Sequence, residues 1–256
     1  MSAHILTERE GGVLILRMNR PEKKNALTRA MYKAMAQTLT QADQDASVRS
    51  VLITGGHDCF TSGNDVADFL QAPPDGLNSE VFMFMQALFD FSKPVVAAVC
   101  GSAVGIGTTL LLHCDLVYVS RDATLKMPFV NLGLCPEYGS SMILPRLLGQ
   151  AKAAELLLLG SAFNGEQAAA WGIANQALHD SAATIAKAFD MAQRFSLLPP
   201  SAVTDSKRLM RAPDREQLRQ VIAAEGELFS QRLHSPEARE AMTAFMQRRK
   251  PDFSNL

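Results

Sequence analysis

The 256-residue sequence is poor in the side chains that usually build a reactive centre. Its 4 cysteines (Cys59, Cys100, Cys114 and Cys135) form no CxxC pair. Their number and scatter exclude a disulfide scaffold and a zinc ribbon. The 5 histidines make no HExxH or other ligand pair, so no metal is expected. There is no run of about 18 apolar residues, so no transmembrane helix is expected. The stretch Met1–Gly12 carries charges where a signal peptide needs an apolar core, which points to a soluble intracellular protein. Charge of one sign is missing too: 25 Lys+Arg stand against 26 Asp+Glu, for a net charge of −1. A nucleic-acid protein usually carries a basic excess, so neither nucleic acid nor membrane is expected as a partner. Chemistry must then come from isolated side chains or from the backbone.

What is present is a regular alternation of apolar runs and turn residues. Val13–Met18, Ser50–Thr54, Pro94–Cys100 and Leu116–Ser120 read as strands, and Thr124–Met127 as a short fifth. These runs are too apolar for a sheet with one wet face, so helices are expected over both faces. Thr28 caps a helical pattern with Met31, Met35, Leu39 and Ala42 on one side. Leu77–Phe91 and Ala103–His113 also read as helices. From Ser140 onward strands almost vanish, and Ala151–Leu159, Gly165–Trp171, Ala182–Phe195, Asp214–Leu233 and Pro236–Arg249 read as helices. The Leu197-Leu198-Pro199-Pro200 stretch marks a joint. It divides a mixed core, residues 1–197, from a helical part, residues 198–256. The apolar faces of that tail either cap their own core or form a subunit interface.

Three segments could carry chemistry. Phe60–Asp65 follows a strand and a glycine-rich turn; Gly63 permits close backbone approach, and free N–H groups there could hold an anion. Taken alone, the segment is more simply a plain strand-to-helix loop. Gly101–Thr109 is glycine-rich but is neither GxGxxG nor a P-loop. Its small residues either serve close packing or leave an amide such as that of Ile106 facing a cavity. In Pro128–Ser141 a single acid, Glu137, sits among apolar and small residues. Such surroundings disfavour the carboxylate and raise its pKa toward the range of a general base. A surface acid before a helix is the plainer alternative. His113 and Cys114 read as core residues. Ser140 and Ser141 lack a GxSxG setting for a nucleophile.

Together, SGND at Ser62–Asp65, AVGIG at Ala103–Gly107 and the PF…LG…PE.GSS pattern at Pro128–Ser141 resemble the crotonase (enoyl-CoA hydratase/isomerase) superfamily. The likeness runs from about Gly12 to Phe253 and is strongest to Δ3,Δ2-enoyl-CoA isomerases of the peroxisomal type and their bacterial relatives. It implies an α/β fold, a spiral of ββα turns with a C-terminal helical trimerisation part. It implies an oxyanion hole from the backbone N–H groups of Asn64 and Ile106. The two glutamates of the hydratase branch would fall on Thr109 and Phe129, so both are absent. The isomerase branch instead places its base on Glu137. The substrate implied is an acyl-CoA thioester, with coenzyme A part of the substrate and no separate cofactor. Lys24, Ala26, Ser62, Asp65, Phe245 and Arg248 would contact CoA; Phe84, Met85 and Phe129 would line the acyl pocket. A homotrimer or hexamer is implied. Other crotonase reactions and a non-catalytic acyl-CoA-binding module remain as alternatives. A bacterial-type cytoplasmic location is expected, since Ser254-Asn255-Leu256 is only loosely similar to a peroxisomal signal.

Overall fold

The computed structural model describes residues 2–71, 78–254 and 256. Six strands form the larger sheet in the order β1 (Ile5–Glu10), β2 (Val13–Met18), β3 (Ser50–Thr54), β5 (Val95–Val99), β7 (Leu116–Ser120) and β10 (Gln176–Leu178). Only β1 is antiparallel, paired along its whole length with β2; the other pairings are parallel. Strand periodicity sends alternate side chains to opposite faces. Leu16, Val51, Ile53, Val95, Ala97, Val99, Val117 and Val119 enter the main core. Val13, Ile15, Leu52, Val96, Ala98 and Tyr118 enter a second, smaller core closed by Ala188 and Ala192 of α8 (Ser181–Arg194). Both faces of the four strands β2, β3, β5 and β7 are therefore dry, which is why these strands read as continuous apolar runs.

A second sheet has the order β4 (Cys59–Thr61), β6 (Ser102–Val104), β8 (Thr124–Lys126) and β9 (Phe163–Asn164). The chain visits the two sheets in turn: β3 then β4, β5 then β6, β7 then β8. After each of the first two pairs it passes into helix, giving the ββα winding that the crotonase resemblance implies. The helices are α1 (Arg29–Gln44), α2 (Val66–Gln71), α3 (Glu80–Asp90) and α4 (Ile106–Thr109). Thr28 caps α1 by accepting the Met31 N–H at 3.4 Å. Leu77, at the start of the expected third helix, lies outside the described residues.

One expected helix is shorter than its sequence suggests. Residues 103–113 do not form a single helix: Ala103 and Val104 belong to β6, and Gly105 breaks the chain at φ 57°. The helix is then the single turn α4, continued by a 3₁₀ turn at Leu110–His113. Strand pairing on both sides wins over helical propensity here, because β6 completes the hydrogen bonds of β4 and β8.

The later helices are α5 (Ser140–Leu148), α6 (Gln150–Leu158), α7 (Gly165–Ala170), α8, α9 (Pro200–Leu233) and α10 (Pro236–Met246). Helix α9 is far longer than Asp214–Leu233, because Pro200 at its first turn is preset for a helix and Pro213 is carried inside it. Its beginning is pinned by Asp115, which accepts from Lys207 at 2.7 Å and Arg211 at 2.8 Å. Ile222 and Phe229 of α9, and Ala238 and Met242 of α10, enter the main core. On their outer sides Met210 is 82% and Phe245 63% exposed.

Gly101, between β5 and β6, has φ 64°, and an added Cβ would stand 1.9 Å from the Asp58 carbonyl oxygen. Gly101→Ala should therefore destabilise the fold by about 2–4 kcal/mol. The urea midpoint checks this; an unchanged midpoint would show that the turn relaxes freely.

Candidate active site

Strands β4 and β6 run parallel with Thr61 opposite Ala103, so the segments leaving their C-terminal ends start side by side. The contact is tight. A Cβ on Gly63 (φ 90°) would meet the Val104 carbonyl oxygen at 2.9 Å, and one on Gly107 would meet the Thr61 methyl at 2.5 Å. Asn64 follows Gly63, and Ile106 opens α4 after Gly105. Among the described residues, no hydrogen bond takes up the backbone N–H of either. For Ile106 this follows from its place at a helix start, where no earlier turn offers a carbonyl. Asn64 is held from both sides instead: the Leu27 N–H donates to the Gly63 carbonyl at 2.8 Å, and the Asp65 N–H donates to the Leu27 carbonyl at 2.9 Å. Two fixed amide donors in adjacent loops suit an oxygen that gains negative charge.

The Lys24 loop and the Ser62 loop are welded together. The Ser62 N–H donates to the Lys24 carbonyl at 2.9 Å, and the Thr61 hydroxyl to the Asn25 carbonyl at 2.7 Å. The buried Asn25 amide donates to the Cys59 and Phe60 carbonyls at 2.9 and 3.1 Å. Lys24, Ala26, Ser62 and Asp65 are thus brought into one region. Asp65 has an internal task there: it pairs with Arg20 at 2.6 Å and accepts the Ala67 and Asp68 N–H groups. Phe245 and Arg248 lie at the end of α10, and among the described residues no hydrogen bond or ion pair ties them to this loop within the chain.

Glu137 is buried, and its pKa is pushed up to about 8, first by desolvation and then by the charge of Glu225. The Thr109 hydroxyl, at the end of α4, donates to its Oε1 at 3.4 Å, a long contact that opposes the shift weakly. Tyr32, fully buried on α1, donates to the Asn64 side-chain oxygen. Its own pKa is raised by burial and by the neighbouring Glu137 carboxylate. Thr109 therefore ties the acid to the helix that Ile106 opens, while Tyr32 ties α1 to the Asn64 loop. Behind the acid, Tyr138 (φ 58°) and Gly139 (φ 77°) take left-handed backbone. That turn is braced: His113 Nε2 donates to the Tyr138 carbonyl at 2.7 Å, and the Tyr138 hydroxyl donates to the Met85 carbonyl at 2.7 Å. Burial holds His113 neutral, with its pKa lowered to about 3.

Glu137 opens onto a narrow cavity of about 40 Å³ lined by Phe69, Phe82, Met85, Ile222 and Phe229. Of the expected acyl-pocket residues, Met85 lines it. Phe84 does not: it packs on Tyr32 with ring centroids 5.7 Å apart, and Phe82, one turn from Met85, takes its place. Phe129 stands behind the wall, edge-on to Phe229 at 6.4 Å. Of the side chains in this wall, unbranched Met85 has the most rotamer freedom. His113 lies in the core as expected, stacked on Tyr138, whereas Tyr32, Phe82 and Glu225 join the site without having been singled out in the sequence. Only Glu225, an acid on the apolar side of a helix beside Ile222 and Phe229, left a trace in the pattern.

Over residues 8–255 the chain matches the enoyl-CoA hydratase/isomerase family, and it belongs to that family, within the crotonase superfamily. It is 38% identical to human enoyl-CoA delta isomerase 2, over 94% of this chain and 62% of that protein. The chain thus spans about three-fifths of the length of that curated relative. It is 34% identical to 1,2-epoxyphenylacetyl-CoA isomerase of Escherichia coli over 99% of each chain. The solved structure of Pseudomonas aeruginosa OdaA superposes with a TM-score of 0.94 at 65% identity, covering 96% of this chain and 99% of that one.

The raised pKa of Glu137 has a cost in stability. Between the ordinary value of 4.5 and about 8 the folded state binds a proton that the unfolded chain has lost. Stability from this group therefore falls as pH rises through that window. Glu137→Gln should be the more stable protein at pH 8, by on the order of 1–3 kcal/mol, with the advantage vanishing near pH 4. Urea melts at the two pH values measure it, and equal differences at both would contradict it.

Proposed function

We propose that this protein moves the double bond of a 3-enoyl-CoA to the 2-position by a 1,3-proton shift. The Glu137 carboxylate takes a proton from C2, and the electron pair left behind delocalises onto the thioester oxygen as a dienolate. The N–H groups of Asn64 and Ile106 hold that oxygen. Protonated Glu137 then returns the proton to C4, and the double bond settles in conjugation with the carbonyl. One group acts as base and then acid, so a pKa near the working pH serves both halves.

The observation that carries this reading is a buried acid, Glu137, tied by the Thr109 hydroxyl to the helix that Ile106 opens, while the two positions at which a hydratase would have glutamates hold Thr109 and Phe129. The likeness to human enoyl-CoA delta isomerase 2 supports it. Lys24, Ala26 and Ser62 are the contacts proposed for CoA, with Asp65 orienting Arg20 beneath them. CoA arrives as part of the substrate. Residues 198–256 are proposed to carry the trimer contact, with Phe245 and Arg248 reaching a neighbouring subunit's CoA from there. A second reading, a different rearrangement of a CoA thioester at the same carboxyl, draws on the full-length likeness to the Escherichia coli epoxide isomerase.

The test follows formation of the conjugated thioester by ultraviolet absorbance over a chain-length series of 3-enoyl-CoA substrates. Glu137→Gln should lose about 10²–10⁴-fold in kcat while still binding CoA. Only the ionised acid takes the proton, so wild-type kcat/KM should climb with pH until about 8. Full activity in Glu137→Gln would defeat the proposal. Turnover of an epoxide substrate without double-bond migration would favour the second reading.

A further inference from the structure

The environment of Glu137 includes a second acid that arrives from the far end of the chain. Glu225 lies on α9, buried against the turn that follows Glu137. Its carboxylate accepts the Gly139 N–H through Oε2, and the Ser141 N–H through Oε1 at 3.0 Å. These amides belong to the N-cap and the first turn of α5, where no intrahelical acceptor exists. Gly139, the residue before α5, has no side chain to cap it, so Glu225 does the capping from a distance. The packing is close: a Cβ on Gly139 would stand 2.4 Å from Leu218 and 3.4 Å from Ile222, both on α9. The Ser140 hydroxyl closes the loop by donating to the Glu137 carbonyl at 2.7 Å.

We propose that Glu225 is a positioning residue for Glu137, fixing the 137–141 turn through two amides and standing as a second buried carboxylate beside the acid. The inference rests on Glu137 being the base. Two anions so placed oppose each other, so the charge on Glu225 makes the ionised form of Glu137 a stronger base. The other groups facing Glu137 are the Thr109 hydroxyl from α4 and the Tyr32 hydroxyl from α1, with Cys135 and Tyr138 on its own segment. Arg232 of α9, the cation that acts on Cys135 two residues before Glu137, is committed to the Gly133 carbonyl at 2.9 Å and to Glu237 at 3.5 Å. It does not neutralise the pair by direct contact.

The experiment compares pH profiles of kcat and KM for the wild type, Glu225→Gln and Glu225→Ala. Glu225→Gln keeps the shape and one oxygen acceptor but removes the charge. Its acid limb of kcat/KM should move to lower pH by roughly one unit or more. Glu225→Ala frees the turn as well, so kcat should fall about a hundred-fold while KM stays nearly constant. A Glu225→Gln profile that overlays the wild type, or a rise in KM with kcat kept, overturns the proposal. A readout independent of turnover uses carbon-13 carboxyl titration by NMR. In the wild type the Glu225 carboxyl carbon should register the ionisation of Glu137 as a second inflection near that acid's midpoint, and Glu137→Gln should abolish it. Absence of the second inflection in the wild type refutes the pairing, even if both Glu225 variants fail to fold. A wild type inactive on every 3-enoyl-CoA defeats the isomerase reading alone; the titration still decides on Glu225.

Discussion

Two strands of only three residues each, β4 and β6, run parallel with Thr61 opposite Ala103, and little else in the site could stand where it does without that pairing. The pairing leaves no room for side chains at Gly63 and Gly107. It also sets Asn64 and Ile106 beyond the ends of neighbouring strands, with their amides unspent on secondary structure. The same pairing draws the Lys24 loop inward, since Thr61 and Ser62 hold that loop by its carbonyls. A shift of one residue in this register would put the wrong amides in place and pull Thr109, and with it the contact to Glu137, out of line.

The second layer of the site comes from distant parts of the chain. Helix α1 supplies Tyr32, the 3₁₀ turn after α4 supplies His113, and α9 supplies Glu225. Each acts on the turn around Glu137 or on the loop around Asn64, and each is buried. Burial of a carboxyl with another carboxylate nearby is unfavourable by itself. The fold tolerates it because backbone N–H groups at the start of α5 satisfy Glu225, while Glu137 can take up a proton.

Much of the frame was legible in the sequence, because the central strands are dry on both faces and so appear as unbroken apolar runs. β1 was not, since only Ile5 of its six residues is buried and an edge strand of alternating charges has no apolar signature. β6 was read as helix because small residues and glycine fit either state, and strand partners far away in sequence decided between them. The acid at 137 and the glycine-rich loops were legible as local motifs. Tyr32 and Phe82 were not, and Glu225 was only as an acid on an apolar helix side, because their importance lies in which distant turn they touch. The exchange of Phe84 for Phe82 in the cavity wall is a matter of helix phase: Phe82 and Met85 share a face, and Phe84 points to α1.

The two free N–H groups belong to the main chain, and this has a consequence for how such a site can be found and how it changes. Exchanging Asn64 or Ile106 for alanine leaves the donor in place and removes only the side chain, an acceptor for the Tyr32 hydroxyl in one case and a piece of the main core in the other, so an alanine scan would read both positions as structural. Inherited variation faces the same blindness. The two amides survive a change of side chain at those residues so long as the glycines beside them hold, whereas a single exchange at 109, 129 or 137 adds or removes an acid. A scaffold of this kind can gain or lose a carboxyl at one position while the main-chain donors of its glycine-bordered loops stay where they are.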